Sequence, residues 1–221
     1  MSDDSFIREV NEEIRQDRAK ALWDRYGPAA IVVAVLVVLA TAAWVGFDYW
    51  RESRASRSGD AFAQALQLAR DGKSDEALKA LEALETEGHG AYPVLARMRA
   101  ATVLADKGDF TGAVAGFDAV ANDGSVPMSI RDIARLRSGV LLVDHGSAQD
   151  VASRVEGLAV DTNPLRHSAR ELMALAAWKE GRFSDALKYL DQIAADPAAP
   201  RNVRERANLL SELIHGSGTG S

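Results

Sequence analysis

The chain contains no cysteine, which excludes disulfides, zinc ribbons, iron–sulfur clusters and thiol catalysis together. Aromatic residues make up only 6% of its 221 positions, and there are four histidines. His89, His145, His167 and His215 are scattered, and no two of them stand at the helical i, i+4 spacing of a paired-histidine metal site. Walker, GxGxxG and GxSxG sequences are missing too, and with them the common nucleotide-binding and serine-hydrolase signatures. Basic charge is in deficit, 26 Lys+Arg against 32 Asp+Glu for a formal net charge of −6. A nucleic-acid binder needs clustered cations to release counterions from phosphates, so no nucleic-acid partner is expected. Nor is any catalytic residue, metal, cofactor or small-molecule substrate.

What the chain does have is one long apolar run, concealed by a mean hydropathy of −0.14. From Ala29 to Phe47 it reads AAIVVAVLVVLATAAWVGF, 19 residues without a charge, with Thr41 as the one hydroxyl. At about 1.5 Å per residue this helix spans roughly 28 Å, close to the hydrocarbon thickness of a bilayer. Trp23, Arg25 and Tyr26 flank one end, and Trp44, Tyr49, Trp50 and Arg51 the other, as interfacial aromatics and cations do. A cleaved signal peptide would start earlier and end at small residues, and the amphipathic helices that follow give no reason for a uniformly apolar core helix. A single transmembrane anchor over 29–50 is expected, with Pro28 in its first turn, where proline is tolerated. Residues 1–28 are expected to form a helix with Ser2, Asp3 and Asp4 at its start. Seven acids against five bases in 2–26 leave it no basic face for anionic lipid, so it reads as a solvated extension of the span. Within about 20 residues of the span, four cations before it (Arg15, Arg18, Lys20, Arg25) against three after it (Arg51, Arg54, Arg57) lean towards a cytoplasmic N-terminus.

Beyond residue 58 the sequence repeats. Gly72, Gly108, Gly146 and Gly181 are separated by 36, 38 and 35 residues. Seven residues before each stands a small residue: Ala65, Ala101, Gly139, Ala174. Five after come Ala77, Ala113, Val151 and Ala186; nine after, Leu81, Phe117, Val155 and Leu190; twelve after, Leu84, Val120, Leu158 and Ile193. A second series, Pro93, Pro127, Pro164 and Pro200, recurs at 34, 37 and 36 residues, each before a new helical pattern, where the first amides lack intrahelical partners. The pattern predicts helix pairs in which each glycine makes the left-handed turn that ends the first helix. The small residue seven before it lets the second helix approach. These spacings resemble tetratricopeptide repeats, best in KGDFTGAVAGF (107–117) and EGRFSDALKYL (180–190). HGSAQDVASRV (145–155) is degenerate, and the tryptophan usual in the first helix of such repeats is missing.

The expected fold is therefore all-α: an N-terminal helix (1–28), a transmembrane anchor (29–50), a charged connector (51–58), then a solenoid of about four helix pairs over 59–214. A capping helix, about Asn202 to Ile214, closes the solenoid, and 215–221 is a flexible tail. Acid clusters such as Asp75–Glu76 and Glu82–Glu85–Glu87 read as solvated helix faces.

Stacked repeats of this kind present a concave surface built from the first helix of each pair. Carrying over the repeat family's groove positions gives Leu95, Met98, Thr102 and Ala105; then Ile133, Leu136, Val140 and Val143; then Ser168, Glu171, Leu175 and Trp178. The Lys, Arg and Asn with which some such repeats clamp a terminal carboxylate are absent from these positions. The candidate protein-binding residues are thus mainly apolar, suited to apolar or helical segments. The other reading of the same residues is that they are core, covered by the next helix or the cap.

The whole arrangement resembles the bacterial YfgM-like family, ancillary subunits of the Sec translocon. The likeness is carried by DDSFIREVNEEIRQDRAKALWDRYGP, by the span ending WVGFDYWRES, and by the repeats beginning SGDAFAQALQLARDGKSDEALKALE. It implies a non-enzymatic inner-membrane protein with a cytoplasmic N-terminus and a periplasmic repeat domain. The implied partners are translocon subunits and a membrane-anchored periplasmic chaperone of the peptidyl-prolyl isomerase type. A structural or regulatory scaffold in envelope biogenesis or cell division is the alternative function.

Overall fold

The computed structural model describes residues 3–216. Among these every regular element is a helix. Helix α1 runs Asp3–Arg70, and the chain divides within it into two compact units, Met1–Ser56 and Arg57–Ser221.

In the first unit no separate element begins at Pro28, and 51–56 is helical rather than a loop. Pro28 lies inside this helix rather than in a first turn, where a proline's missing N–H forfeits one hydrogen bond and its ring crowds the carbonyl four residues back. Among the described residues, the large apolar side chains from Ile31 to Trp50 are 48–76% exposed. This helix is long and apolar enough to cross a membrane by length and composition. Thr41 turns its hydroxyl back to the Val37 carbonyl at 2.8 Å, so its donor is satisfied inside the helix. Arg54 stacks over the Trp50 ring at 3.9 Å, pairing cation and aromatic just past the run. Ser2, the expected N-cap, and residues 217–221 of the expected tail lie outside the described residues.

In the second unit the end of α1 pairs with α2 (Ser74–Glu87), α3 (Tyr92–Asp106) with α4 (Phe110–Asn122), and α5 (Met128–His145) with α6 (Ala148–Val155). A short 3-10 turn, Glu156–Leu158, follows α6; α7 (Arg166–Lys179) then pairs with α8 (Phe183–Ala195), and α9 (Arg201–Gly216) closes the series. The repeat register read from the glycines is the register of the core. All four residues five after a glycine are buried, as are all four at nine and all four at twelve. Nine of the twelve fall in successive clusters, which include Ala65, Leu81, Leu84 and Val103; Val120, Ala121, Val126 and Ala134; Leu142, Val151, Val155 and Leu172; Leu190, Ile193, Val203 and Ile214. Each core is shared only between neighbours, as in a solenoid. The cap buries Val203, Ala207 and Ile214 but leaves Leu209 and Leu213 exposed, so its outer face is less polar than a terminal helix needs.

Gly72, Gly108 and Gly181 adopt φ of +76°, +83° and +74°. At each, the next residue's N–H closes onto the carbonyl five residues back: Lys73 to Leu68, Asp109 to Leu104 and Arg182 to Ala177, all at 2.9 Å. Gly146 departs from expectation, with an extended backbone (φ −134°, ψ −170°). There Ser147 takes over, its hydroxyl accepting from the Asp150 N–H while the Asp150 carboxylate accepts from the Ser147 N–H, a reciprocal cap that starts α6 without a left-handed residue. Gly108→Ala is therefore expected to cost about 1–2 kcal/mol, the penalty of a Cβ in the left-handed region. Gly157→Ala, in open space at an ordinary φ, should stay within about 0.5 kcal/mol of wild type. Urea denaturation of the two variants checks both.

Each pair is also fastened by a polar contact between its first helix and the segment that follows its second. The His89 N–H donates to Ser58 Oγ at 3.0 Å, Arg97 Nη1 to Asp123 Oδ2 at 2.7 Å, Asn163 Nδ2 to Asp132 Oδ2 at 3.4 Å, and Arg166 Nε to Asp196 Oδ2 at 2.9 Å. Asp123, Asn163 and Asp196 each also accept the N–H two residues on, a side-chain turn that bends the chain towards the next proline. The Ser125 hydroxyl, then Arg97 and the Ser125 N–H, hold the Asp123 carboxyl down at about 2. A carboxyl depressed in the folded state contributes stability above its unfolded value of about 3.9 and loses it as pH falls towards 2. The melting temperature of the wild type should fall between pH 4 and pH 2 by more than that of Asp123→Asn, followed by circular dichroism.

Candidate protein-binding groove

The positions carried over to the groove lie on α3, α5 and α7, and they separate into three groups. Leu95, Val140 and Trp178 are 39%, 49% and 38% exposed, and Ile133 is exposed as well. Met98 and Leu136 are half-buried against the second and third cores; Thr102 spends its hydroxyl on the Met98 carbonyl, and Ala105, Ser168 and Leu175 are half-buried. Glu171 is committed to the cap, both its oxygens accepting from Arg206 Nε at 2.5 Å and Nη2 at 2.7 Å. That carboxylate raises the Arg206 guanidinium above its ordinary value.

The structure brings Val140, Leu175 and Trp178 together. With Val143 of α5 and Leu172 of α7 they line a concave pocket of about 470 Å³, with Asp144 and Lys179 at its rim. Leu95, Met98, Thr102, Leu136 and Glu171 are not part of it. Lys179 ties the helix ends together, its Nζ donating to the Val143 and Asp144 carbonyls at 2.9 and 2.5 Å, where the last carbonyls of α5 lack helical partners. The side chains on its walls are apolar, and its charges sit at the edge. The pocket's size and apolar walls suit an apolar side chain. Leu172 was not among the carried-over positions; it stands one turn before Leu175 on the same face of α7, and that spacing was the available signal.

Among the described residues, no cluster of His, Asp and Glu could hold a metal ion. The His145 ring stacks on Phe110 at 3.5 Å between centroids, and His167 Nε2 lies 2.8 Å from Asp196 Oδ2. Both are used in packing.

A series of helix pairs sharing cores only with neighbours, with an apolar pocket on its first helices, defines a helical-repeat scaffold. The sequence profile of the tetratricopeptide repeat-like domain matches residues 20–159, more than half of the chain, and the chain belongs to that family. The match takes in the apolar run and the first three helix pairs; α7, α8 and α9 lie beyond it. Comparison with curated proteins and with solved structures finds no match. Repeat domains of this family are typically protein-binding scaffolds rather than catalysts.

Proposed function

We propose that this chain is a membrane-tethered, non-enzymatic adaptor that holds protein segments in the pocket between α5 and α7. The observation that carries the reading is the pairing of two features: an exposed apolar helix of membrane-spanning length, and an open apolar pocket in the repeat domain. Tethering supplies the mechanism, since confinement to a membrane surface raises the effective concentration of the pocket for emerging substrates, and modest intrinsic affinity then suffices.

The resemblance to the YfgM-like family makes the finer reading specific. The chain sits in the bacterial inner membrane with its N-terminus in the cytoplasm and its repeats in the periplasm. There it serves the Sec translocon beside a membrane-anchored chaperone of the peptidyl-prolyl isomerase type. The four-to-three excess of cations before the span supports this orientation.

A photoreactive residue in place of Trp178, followed by mild detergent extraction, tests the reading. Crosslinks to translocon or chaperone subunits are the expected result; crosslinks confined to division or envelope-assembly proteins would transfer the chain to the scaffold reading. Single cysteines at Ser2 and Ser217, in a chain that has no other, read the topology: an impermeant label should reach position 217 and not position 2.

A further inference from the structure

The two ends of α7 differ in chemistry. Its C-terminal half lines the apolar pocket, while its first turns carry Arg166 and Arg170 into a second concavity of about 640 Å³, completed by Asp161, Gln192 and Asp196. The Arg170 side chain is buried, with the residue 7% exposed, and its Nη2 donates to Asp161 Oδ1 at 2.5 Å. Its Nε is buried without a hydrogen-bond partner among the described residues. A guanidinium offers five donors in a fixed fork, and leaving one unmet in the interior is costly. Asp161 itself lies in the loop before α7 with its side chain 90% exposed, held there by a single partner. Asp196, by contrast, is locked: Arg166, His167 and the Ala198 N–H all contact its carboxylate.

We propose that this concavity is a second binding site, which takes an aspartate or glutamate side chain from an extended segment of a bound protein. The incoming carboxylate displaces Asp161 from Arg170, and the Gln192 amide stands ready as a further donor. Asp161 is then a placeholder that satisfies the buried guanidinium while the site is unoccupied by a partner. Charge arithmetic selects the ligand. One carboxylate replacing another leaves the site balanced between Arg166 and Arg170 on one side, and Asp196 and the ligand on the other. A phosphate group with a second charge would face Asp196, whose carboxyl Arg166, the Ala198 N–H and His167 keep ionised far below the ordinary range. This site lies at the opposite end of α7 from the apolar pocket and does not depend on it.

The test uses the full chain in detergent and a fluorescein-labelled peptide of alternating Glu and Ser, read by anisotropy. Asp161→Asn frees Arg170 and should tighten binding about tenfold, the scale of one charge-assisted hydrogen bond. Gln192→Glu adds a like charge and should weaken it by a similar factor, and Asp161→Asn combined with Arg170→Gln should lose the gain. Val140→Asp, in the apolar pocket, should leave this peptide's affinity unchanged, which separates failure here from failure of the groove reading. The proposal is overturned if Asp161→Asn binds no tighter than wild type, if a Gln–Ser peptide binds equally well, or if inorganic phosphate or phosphatidylglycerol vesicles take the site in preference to the peptide. Because Asp161→Asn and Gln192→Glu alter exposed or rim positions, they decide the matter even if the Arg170 variant does not fold.

Discussion

Gly139→Val is expected to destabilise the repeat domain by about 3 kcal/mol or more, at the upper end of what overpacking a core costs. In a domain of this size that lowers the melting temperature by roughly 6–12 °C. A Cβ built at Gly139 falls 2.6 Å from Val155 Cγ1 and 3.3 Å from Leu172 Cδ1, contacts that two well-packed helices cannot both relieve. The corresponding positions hold alanine in the other units, all of them buried. In the second unit the room comes from the partner helix instead: a Cβ on Gly116 would meet the Ala101 Cβ at 3.0 Å. Each of these two crossings therefore uses one glycine, on α5 in one and on α4 in the other. Gly139→Ala is a milder case, because the gain of about 1 kcal/mol in helix propensity offsets part of the clash. Valine has neither that gain nor a flexible end. Combining Gly139→Val with Val155→Ala should recover more than half of the loss, since the two residues share the same contact. An unchanged urea midpoint for Gly139→Val would show that α5 and α6 are not held at this distance.

The repeat register was legible because it rests on chemistry that every unit must satisfy. A left-handed turn favours glycine, a close helix crossing needs small residues, and a shared core needs bulk at fixed offsets. Where another device meets the same need, the pattern misleads. Gly146 keeps the glycine series in phase, yet the Ser147–Asp150 cap makes the turn, and only the spacing of those two residues signalled it. The charged connector 51–58 could be read either as a loop or as a continuation of the membrane helix, since RESRASRS has the composition of a loop but no residue that breaks a helix, and the structure has the helix. The fastenings at the pair ends join residues 26 to 31 positions apart, beyond any local pattern. Burial of Arg170 was equally unreadable, as a lone arginine on a helix is ordinarily solvated. The groove was half legible. Position on the first helix pointed to Val140, Leu175 and Trp178, which line one pocket, but whether Met98 and Leu136 faced outward depended on how far each helix is rotated about its axis, which the cores decide.

Trp178→Ala is expected to weaken partner binding by about 2 kcal/mol, roughly 30-fold in Kd, as loss of an aromatic anchor from a concave site typically does. Among the pocket's walls Trp178 is the largest side chain and is 38% exposed, so it can surrender further surface to a partner without first leaving a core. Val140→Asp should act as strongly, because it sets a carboxylate against the apolar side chain being bound, and desolvating it is unfavourable. Neither change should lower the urea midpoint by much, since both residues are exposed. Crosslinking yield from a photoreactive residue at Leu175 measures both. Leu95→Ala supplies the contrast: it is exposed to a similar degree on α3 but lies outside the pocket. If Leu95→Ala reduced the yield as much as Trp178→Ala, the binding surface would extend along all the first helices, and the pocket would be only one station on it. If only Trp178→Ala and Val140→Asp act, recognition is local to the crossing of α5 and α7. The partner then inserts an apolar anchor there, as a helix or strand end does in a groove, and the remaining repeats serve to hold that crossing open and in place.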